Sequence, residues 1–332
     1  MGRKAANPSA TTTAGETTLT DAPTHQEPHA PNHRAHEVLL GIDAGGTRTR
    51  ARAVLDGRVV HEGEAGAGNP LSSRDSQLLG SYRQALDGCP APARVGACIA
   101  GVEDPDQRAR MQLLLQARFP DAIVRVAPDY VAALRAAPPG TDTCVIAGTG
   151  SLICSAVGPG RCVRSGGHGW ILGDHGSGAR LGQALLEWFT DAAEDAPTHL
   201  ADAIRARYGT SDRRRLVTDV HQSPSPAEWL ARAATLLIGE AERGAPWATT
   251  RLAAEMGELA HLTSHHIERH VTGNATVQVA LAGGLWASDT VCTAFSSALH
   301  QRADRPVRIQ KSTRTSLDGA VQFAAEGPEG PA

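Results

Sequence analysis

Apolar positions along the chain fall into short runs punctuated by Gly, Pro and Asp, and the runs alternate between strand and helix periods. Val38-Leu-Leu-Gly-Ile-Asp43 reads as a buried strand that ends on an acid. Strands follow at 51–55 and 58–63, across the turns Ala44-Gly-Gly-Thr-Arg-Thr49 and Asp56-Gly57, so the first three strands form a meander. The loop Gly66-Ala-Gly-Asn-Pro70 leads to a helix over 72–86, capped by Ser72 or Ser73. A strand at 94–100 ends at Gly101, and a helix over 105–119, a strand at 122–126 and a helix over 131–137 complete a β-β-β-α-β-α-β-α half. Pro138-Pro-Gly140 breaks the pattern.

The second half repeats the theme. Strands are expected at 143–147, 152–157 and 161–164, and helices at 179–193, 200–208, 227–242 and 246–270. A strand at 276–282 ends in Gly283-Gly284, followed by a helix at 288–301, a strand at 307–310 and a helix at 316–325. The fold class is therefore α/β, in two domains over 37–140 and 141–332. Each opens with a hairpin whose turn is rich in Gly and Thr, which points to a duplication with nucleotide in the cleft between the halves.

The candidate chemistry sits in the punctuation. Gly148-Thr-Gly-Ser151 is a turn flanked by apolar strands; its glycines expose N–H groups, and Thr149 and Ser151 add hydroxyls, which suits an anion such as phosphate. A second cluster, from Gly166 to Gly178, runs directly into an amphipathic helix. Asp43 can hold a hydrated Mg²⁺, with Thr47 toward a γ-phosphate, or it can simply cap its turn. Asp129 stands at a strand end before a helix, where reactive groups gather in α/β folds, and where an N-cap is equally at home. Asn69 offers both a donor and an acceptor.

Composition narrows the field. With 332 residues, 41% of them hydrophobic, the chain can build real cores. A net charge of −3 without a basic stripe argues against nucleic acid, and the apolar runs are too short for a membrane. Residues 1–36 hold Thr, Ala, Pro and His with little aliphatic content and no apolar core of a secretion signal, so a disordered tail is expected. Its histidines could bind metal, but nothing there would preorganise a site. The six scattered cysteines contain no C-x-x-C pair and read as reduced thiols of a cytoplasmic protein. His261, His265, His266 and His270 read as a solvated helix face.

These stretches together resemble a known family. Gly41-Ile-Asp-Ala-Gly-Gly-Thr-Arg-Thr49 and Val145-Ile-Ala-Gly-Thr-Gly-Ser151 resemble the two phosphate motifs of the actin–hexokinase–Hsp70 superfamily, and Val279-Ala-Leu-Ala-Gly-Gly-Leu-Trp286 resembles its adenosine motif. Gly167-His-Gly-Trp-Ile-Leu-Gly-Asp-His-Gly-Ser177 is similar to the sugar loop of N-acetylglucosamine kinases and BadF/BadG/BcrA/BcrD-type ATPases. The resemblance implies a two-domain actin-like ATPase fold with ribonuclease H-like duplicated domains. It implies an ATP- and Mg²⁺-dependent kinase acting on an amino sugar. Asp43 would organise Mg²⁺, while Gly45, Gly46, Thr47, Gly148 and Thr149 would meet the phosphates and Gly283 and Gly284 the adenosine. Asp129 would be the catalytic base, and Asn69, Gly150, Gly169 and Asp174 would join it as sugar contacts.

Two positions depart from the family pattern. His168 stands where the family has Trp, and His175 where it has Glu; they either reshape the sugar site or only pack the loop. Competing readings are weaker. Gly176-x-Gly-x-x-x-Gly182 lacks the preceding parallel strand of a dinucleotide site, and no P-loop occurs. A non-catalytic nucleotide- and sugar-binding regulator, or a BadF-type activator, is the alternative; the pairing of Asp43 with Asp129 argues against the regulator. A homodimer is left open. Deleting residues 1–36 should leave the melting temperature unchanged in differential scanning calorimetry, because a segment without apolar content buries no core. A drop of several degrees would show that the tail is structural.

Overall fold

A computed structural model describes residues 36–326 apart from 159–160, 193–194 and 274. The tail expected at 1–36 thus lies outside the described residues except for His36. Alternating buried positions build the first sheet. Leu40, Ile42 and Ala44 are fully buried in β1 (Leu39–Ala44), which pairs antiparallel with β2 (Thr49–Leu55) and parallel with β4 (Arg94–Ile99). With β3 (Arg58–Ala65) and β5 (Ile123–Pro128) the sheet order is β3-β2-β1-β4-β5. The second sheet has β6 (Thr143–Ala147), β7 (Ser151–Ala156), β8 (Cys162–Gly166), β9 (Val277–Ala282) and β10 (Val307–Lys311), in the order β8-β7-β6-β9-β10. The two sheets have the same topology, a meander extended by two parallel strands, as the repeated hairpin pattern implies.

Helices α1 (Asp75–Ala85) and α2 (Pro105–Arg118) bury Leu78, Tyr82, Met111 and Leu115 against the first sheet. The second sheet carries a larger helical layer: α5 (Gly178–Asp191), α6 (Thr198–Tyr208), α7 (Arg213–Gln222), α8 (Pro226–Ala231), α9 (Ala234–Glu242), α10 (Pro246–His270) and α11 (Asp289–Arg302). A short helix, α4 (Gly169–Leu172), interrupts the loop between β8 and α5. Two more helices, α3 (Asp129–Ala136) and α12 (Ser316–Ala325), pack on each other, α12 on β1 and β4, and α3 toward β6 and β7. The final helix of the second half thus lies on the first sheet. Small residues allow this: a side chain on Gly41 would strike Val321 of α12, one on Gly96 would strike Ala324, and one on Gly319 would lie 1.8 Å from the Ala132 carbonyl oxygen of α3.

Four expectations need correction. The single helix at 227–242 is two, broken at Arg232–Ala233, where α5 presses so close that a Cβ on Gly182 would sit 1.8 Å from the Leu230 carbonyl oxygen. Nothing in this run of good helix formers signals the break. Helix α7 was not expected, since its apolar residues are few and it buries Leu216 alone; its N-terminal signal is the Asp212 side chain accepting from Arg215 N at 2.8 Å. Neither Ser72 nor Ser73 caps α1, because both amides are held back in a turn onto the Asn69 carbonyl and the helix starts after Arg74. His266 is fully buried rather than solvated, and its ring nitrogens meet Ser165 Oγ at 2.8 Å and Ser155 Oγ at 3.0 Å. Burial, with His270 beside it, lowers its pKa to about 4.

Gly319→Ala should destabilise the protein by about 3 kcal/mol in urea unfolding, the cost of forcing a methyl into occupied backbone. Gly80→Ala, in open space on the exposed face of α1, should be neutral or slightly stabilising. Equal effects of the two would refute the close α3–α12 contact.

Candidate active site

The carboxyl ends of β1, β5, β6 and β9 carry many of the expected residues. Asp43 lies near the end of β1 and is half-buried; in register it faces Arg50 across the hairpin and Cys98 on β4. Its Oδ2 accepts from Arg50 at 2.5 Å and from Ser316 Oγ at 2.6 Å. Neither partner was anticipated. Arg50 was legible, because hairpin register sets it opposite Asp43; Ser316, at the start of α12, was not. The turn beyond is closed by Gly45 N donating to the Arg48 carbonyl, and Gly46 and Thr47 are exposed.

Asp129 opens α3, two residues before the expected helix start, and follows the N-cap residue Pro128 rather than serving as the cap. Its Oδ1 accepts from Tyr130 N at 3.0 Å. Burial, followed by the charges of Asp43 and Glu103, raises its pKa from the usual 3.8 to about 6. The fully buried thiol of Cys98 feels both carboxylates and is itself pushed well up, chiefly by burial. Glu103 was missed by sequence reasoning. It pairs with Arg164 of β8 at 2.9 Å, a bond between the loop after β4 and the second sheet. Asn69 sits beside Gly101 after β4, so that a Cβ there would fall 2.3 Å from Asn69 Oδ1, which accepts from Leu71 N.

The second half contributes the glycine clusters. Gly148 N and Gly150 O close the β6–β7 turn at 2.9 Å, and the Gly148 and Thr149 carbonyls accept from Gly178 and Ala179 at the start of α5. Asp174 is buried with φ of +53°, held by Gly169 N at 3.2 Å, and a Cβ on Gly150 would lie 2.6 Å from its Oδ2. Gly150, Gly169 and Asp174, three of the expected sugar contacts, therefore form one cluster. Burial raises the Asp174 pKa, opposed by the Gly169 N–H and by His168 and His175. His168 is exposed; His175 Nδ1 is buried with no hydrogen-bond partner among the described residues. Glu255 of α10, also unanticipated, anchors this loop through Gly176 N at 3.1 Å and Arg180 at 2.9 Å. Gly283 has φ of +108°, and a Cβ would strike the Ala147 carbonyl, so the end of β9 lies against the start of the β6–β7 turn. Gly284 opens a 3-10 turn with free space beside it. The two hairpin turns, 44–49 and 148–150, make no hydrogen bond to each other among the described residues.

The Asp129 shift has a sign that can be measured. Its folded-state pKa lies above the unfolded one, so charging it costs stability as pH rises from about 4 to about 6. Asp129→Asn should be more stable than the parent at pH 8, by about 1–3 kcal/mol in chemical denaturation, with the gap closing below about pH 4. A gap independent of pH would contradict the buried, charge-crowded setting.

No family model matches the chain. Over 177 residues it is 30% identical to the N-acetylmuramic acid/N-acetylglucosamine kinase of Clostridium acetobutylicum, a match taking in 48% of this chain and 56% of that protein. The chain thus spans about half the length of this curated relative. Among solved structures it matches a candidate N-acetylglucosamine kinase of Porphyromonas gingivalis with a TM-score of 0.69 at 19% identity, over 86% of this chain and 98% of that one. A similar candidate from Chromobacterium violaceum gives 0.63 at 24% identity, over 87% and 99%. A ROK family glucokinase from Streptomyces griseus, solved with glucose and AMPPNP, gives 0.55 at 17% identity, over 87% and 100%. The chain has the two-sheet, actin-like α/β fold of these sugar-kinase structures.

Proposed function

We propose that the protein is an ATP-dependent kinase that transfers the γ-phosphate to a hydroxyl of an amino sugar: N-acetylglucosamine, glucosamine, or a related sugar or sugar-containing metabolite. The observation that carries this reading is Asp129, a carboxylate with pKa near 6 at the strand-end edge, within electrostatic reach of Asp43. The half-length likeness to a curated amino-sugar kinase supports it. Nucleotide would lie between the halves 37–140 and 141–332, with the glycine turns at Gly45–Gly46 and Gly148 and the hydroxyls of Thr47 and Thr149 toward its phosphates. Gly283 and Gly284 would let adenosine approach the backbone.

Asp43 fits a Mg²⁺ site of the water-rich kind. Among the described residues its Oδ1 makes no hydrogen bond, and no group of three His, Cys, Asp or Glu converges. When bound, the ion would neutralise phosphate charge. Asp129 would accept the proton of the attacking sugar hydroxyl as its oxygen bonds to the γ-phosphorus and ADP leaves; a base poised near 6 is ionised at neutral pH. Asn69, Gly150, Gly169 and Asp174 would orient the sugar ring by directed hydrogen bonds. The retained pair Asp43 and Asp129 favours turnover over a purely regulatory role. Cys154, fully buried in β7, and Cys162, half-buried in β8, lie within strands, a poor position for cysteines that would bridge an iron–sulfur cluster in a BadF-type activator. Among the described residues no helix is long and apolar enough to cross a membrane, and all six cysteines are free thiols, which agrees with a cytoplasmic protein.

Asp129→Asn should lower turnover by roughly 10²–10⁴-fold in a coupled ADP-release assay with Mg²⁺, with ATP and sugar binding largely retained. Near-normal turnover would remove Asp129 from the mechanism. The exposed His168, and the buried His175 Nδ1 that has no hydrogen-bond partner among the described residues, also motivate a specificity test. The double reversion His168→Trp with His175→Glu should shift the ratio of kcat/KM values toward N-acetylglucosamine over a second amino sugar, because Trp adds an apolar ring face and Glu an anionic acceptor. A parent that already prefers N-acetylglucosamine, with a ratio unmoved by the reversion, would make these histidines packing residues.

A further inference from the structure

A cavity of about 110 Å³ lies where the two halves of the chain meet beside α3. Its wall includes Arg108 of α2, Arg125 of β5, Tyr130 and Arg135 of α3, Cys162 of β8 and Phe323 of α12. β5 and β8 are the terminal strands of their sheets, so the wall draws on one edge of each half. The site is rich in cations. Glu326 pairs with Arg135 through both carboxylate oxygens, and its Oε2 lies 3.9 Å from Arg125 Nη1. Two guanidinium groups thus share one carboxylate, and a third, Arg108, stands in the same wall with its Nε donating to the Val102 carbonyl at 3.1 Å. The other carboxylate that faces Tyr130, Glu103, is paired with Arg164.

The donors of this wall are not used up. Arg125 Nη1 donates to the Phe323 and Glu326 carbonyls at 3.2 and 3.3 Å, while its Nε and Nη2 make no hydrogen bond among the described residues. The guanidinium carbon lies 4.2 Å from the centre of the Phe323 ring, a contact that holds the plane of the fork. The Tyr130 hydroxyl also makes no hydrogen bond among the described residues. These donors keep solvent-accessible surface, and both residues line the cavity. Burial lowers the Arg125 pKa, as does Arg135, against the pull of Glu326, so a second anion would relieve crowded positive charge. The donor set selects the ligand class. A guanidinium has donors only, in a fork that matches the paired oxygens of a carboxylate or phosphoryl group. The volume is too small for a nucleotide or a whole sugar and suits one such group.

We infer that this cavity binds a single carboxylate or phosphoryl group, held in the free fork of Arg125 with the Tyr130 hydroxyl as a further donor, and that the bound group ties the β5 edge of the first half to the β8 edge of the second. Such a group can arrive as a free oxyanion or as an acidic substituent of a sugar, since Tyr130 directly follows Asp129. The second source rests on the kinase reading; the binding itself does not.

The test is isothermal titration calorimetry of the full chain with inorganic phosphate and with acetate, without ATP and with ionic strength held constant by chloride. At least one of the two should bind saturably. Arg125→Gln should weaken that binding by about tenfold or more, the weight of a charge-assisted hydrogen bond. Arg125→Lys should recover only part of the loss, because a point charge cannot form the fork. Cys162→Phe fills the cavity from β8 with every arginine in place, and it should abolish binding, with the fold checked by circular dichroism. Tyr130→Phe removes only the hydroxyl; it should weaken binding by about threefold or more, and it serves where the other variants do not fold. Competition then separates the sources. N-acetylmuramic acid, which carries a carboxylate, displacing the oxyanion where N-acetylglucosamine does not, marks a sugar-borne group. Displacement by neither marks a free oxyanion. Absence of saturable binding of both anions overturns the inference. Binding left unchanged by Arg125→Gln, Cys162→Phe and Tyr130→Phe does the same, since it places the anion elsewhere, such as at the glycine turns.

Discussion

The close stacking of α3 and α12 between the two sheets is the contact on which the join between the two halves depends. Packed layers are normally held apart by the side chains between them. Here Gly41 and Gly96 remove those side chains from the first sheet, and Gly319 removes one between the helices. Cys144, Cys154 and Ala280 keep the facing surface of the second sheet small. The two halves therefore share a thin middle layer rather than a flexible hinge of loops. Seating α12 directly on β1 also delivers Ser316, in its first turn, to the Asp43 carboxylate. A packing requirement two residues upstream thus helps position a candidate catalytic group.

Electrostatics divides labour between the two carboxylates. Asp43 is paired with Arg50 and bonded to Ser316, which offsets its partial burial. Among the described residues the Asp129 carboxylate is bonded by backbone N–H groups alone, and it feels Asp43 and Glu103 as like charges. Opposite environments set two chemically similar groups apart: Asp43 is held in an ion pair, while burial and like charges raise the Asp129 pKa. The Glu103–Arg164 pair joins the two sheets beside this site.

The glycine-rich loop from Gly166 to Ser177 is tied down by polar side chains from within it and from outside it. Glu255 ties down Gly176 and Arg180, Arg164 holds the Gly166 carbonyl, and Asp174 folds back onto the Gly169 amide. Its left-handed residues include Asp174 itself, a non-glycine at φ of +53°, a conformation found where surrounding structure over-determines the backbone.

Much of this was legible in the chain alone. Short apolar runs marked the strands of both meanders, and glycine marked the turns at 44–49 and 148–150, because both are local signals. Asp43, Asp129 and the Asp174 loop were visible because they end or interrupt strong local patterns. The register of the first hairpin even contained the Asp43–Arg50 pair. What the sequence could not reveal depends on residues distant along the chain. Ser316 reaches Asp43 from 273 positions away, Glu255 braces the loop from the long α10, and His266, read as solvated, is buried between β7 and β8. The helix at 227–242 breaks only because α5 crosses it at Gly182. Local periodicity records which face of an element is apolar; only tertiary packing decides which other element covers that face, and hence which polar groups meet there.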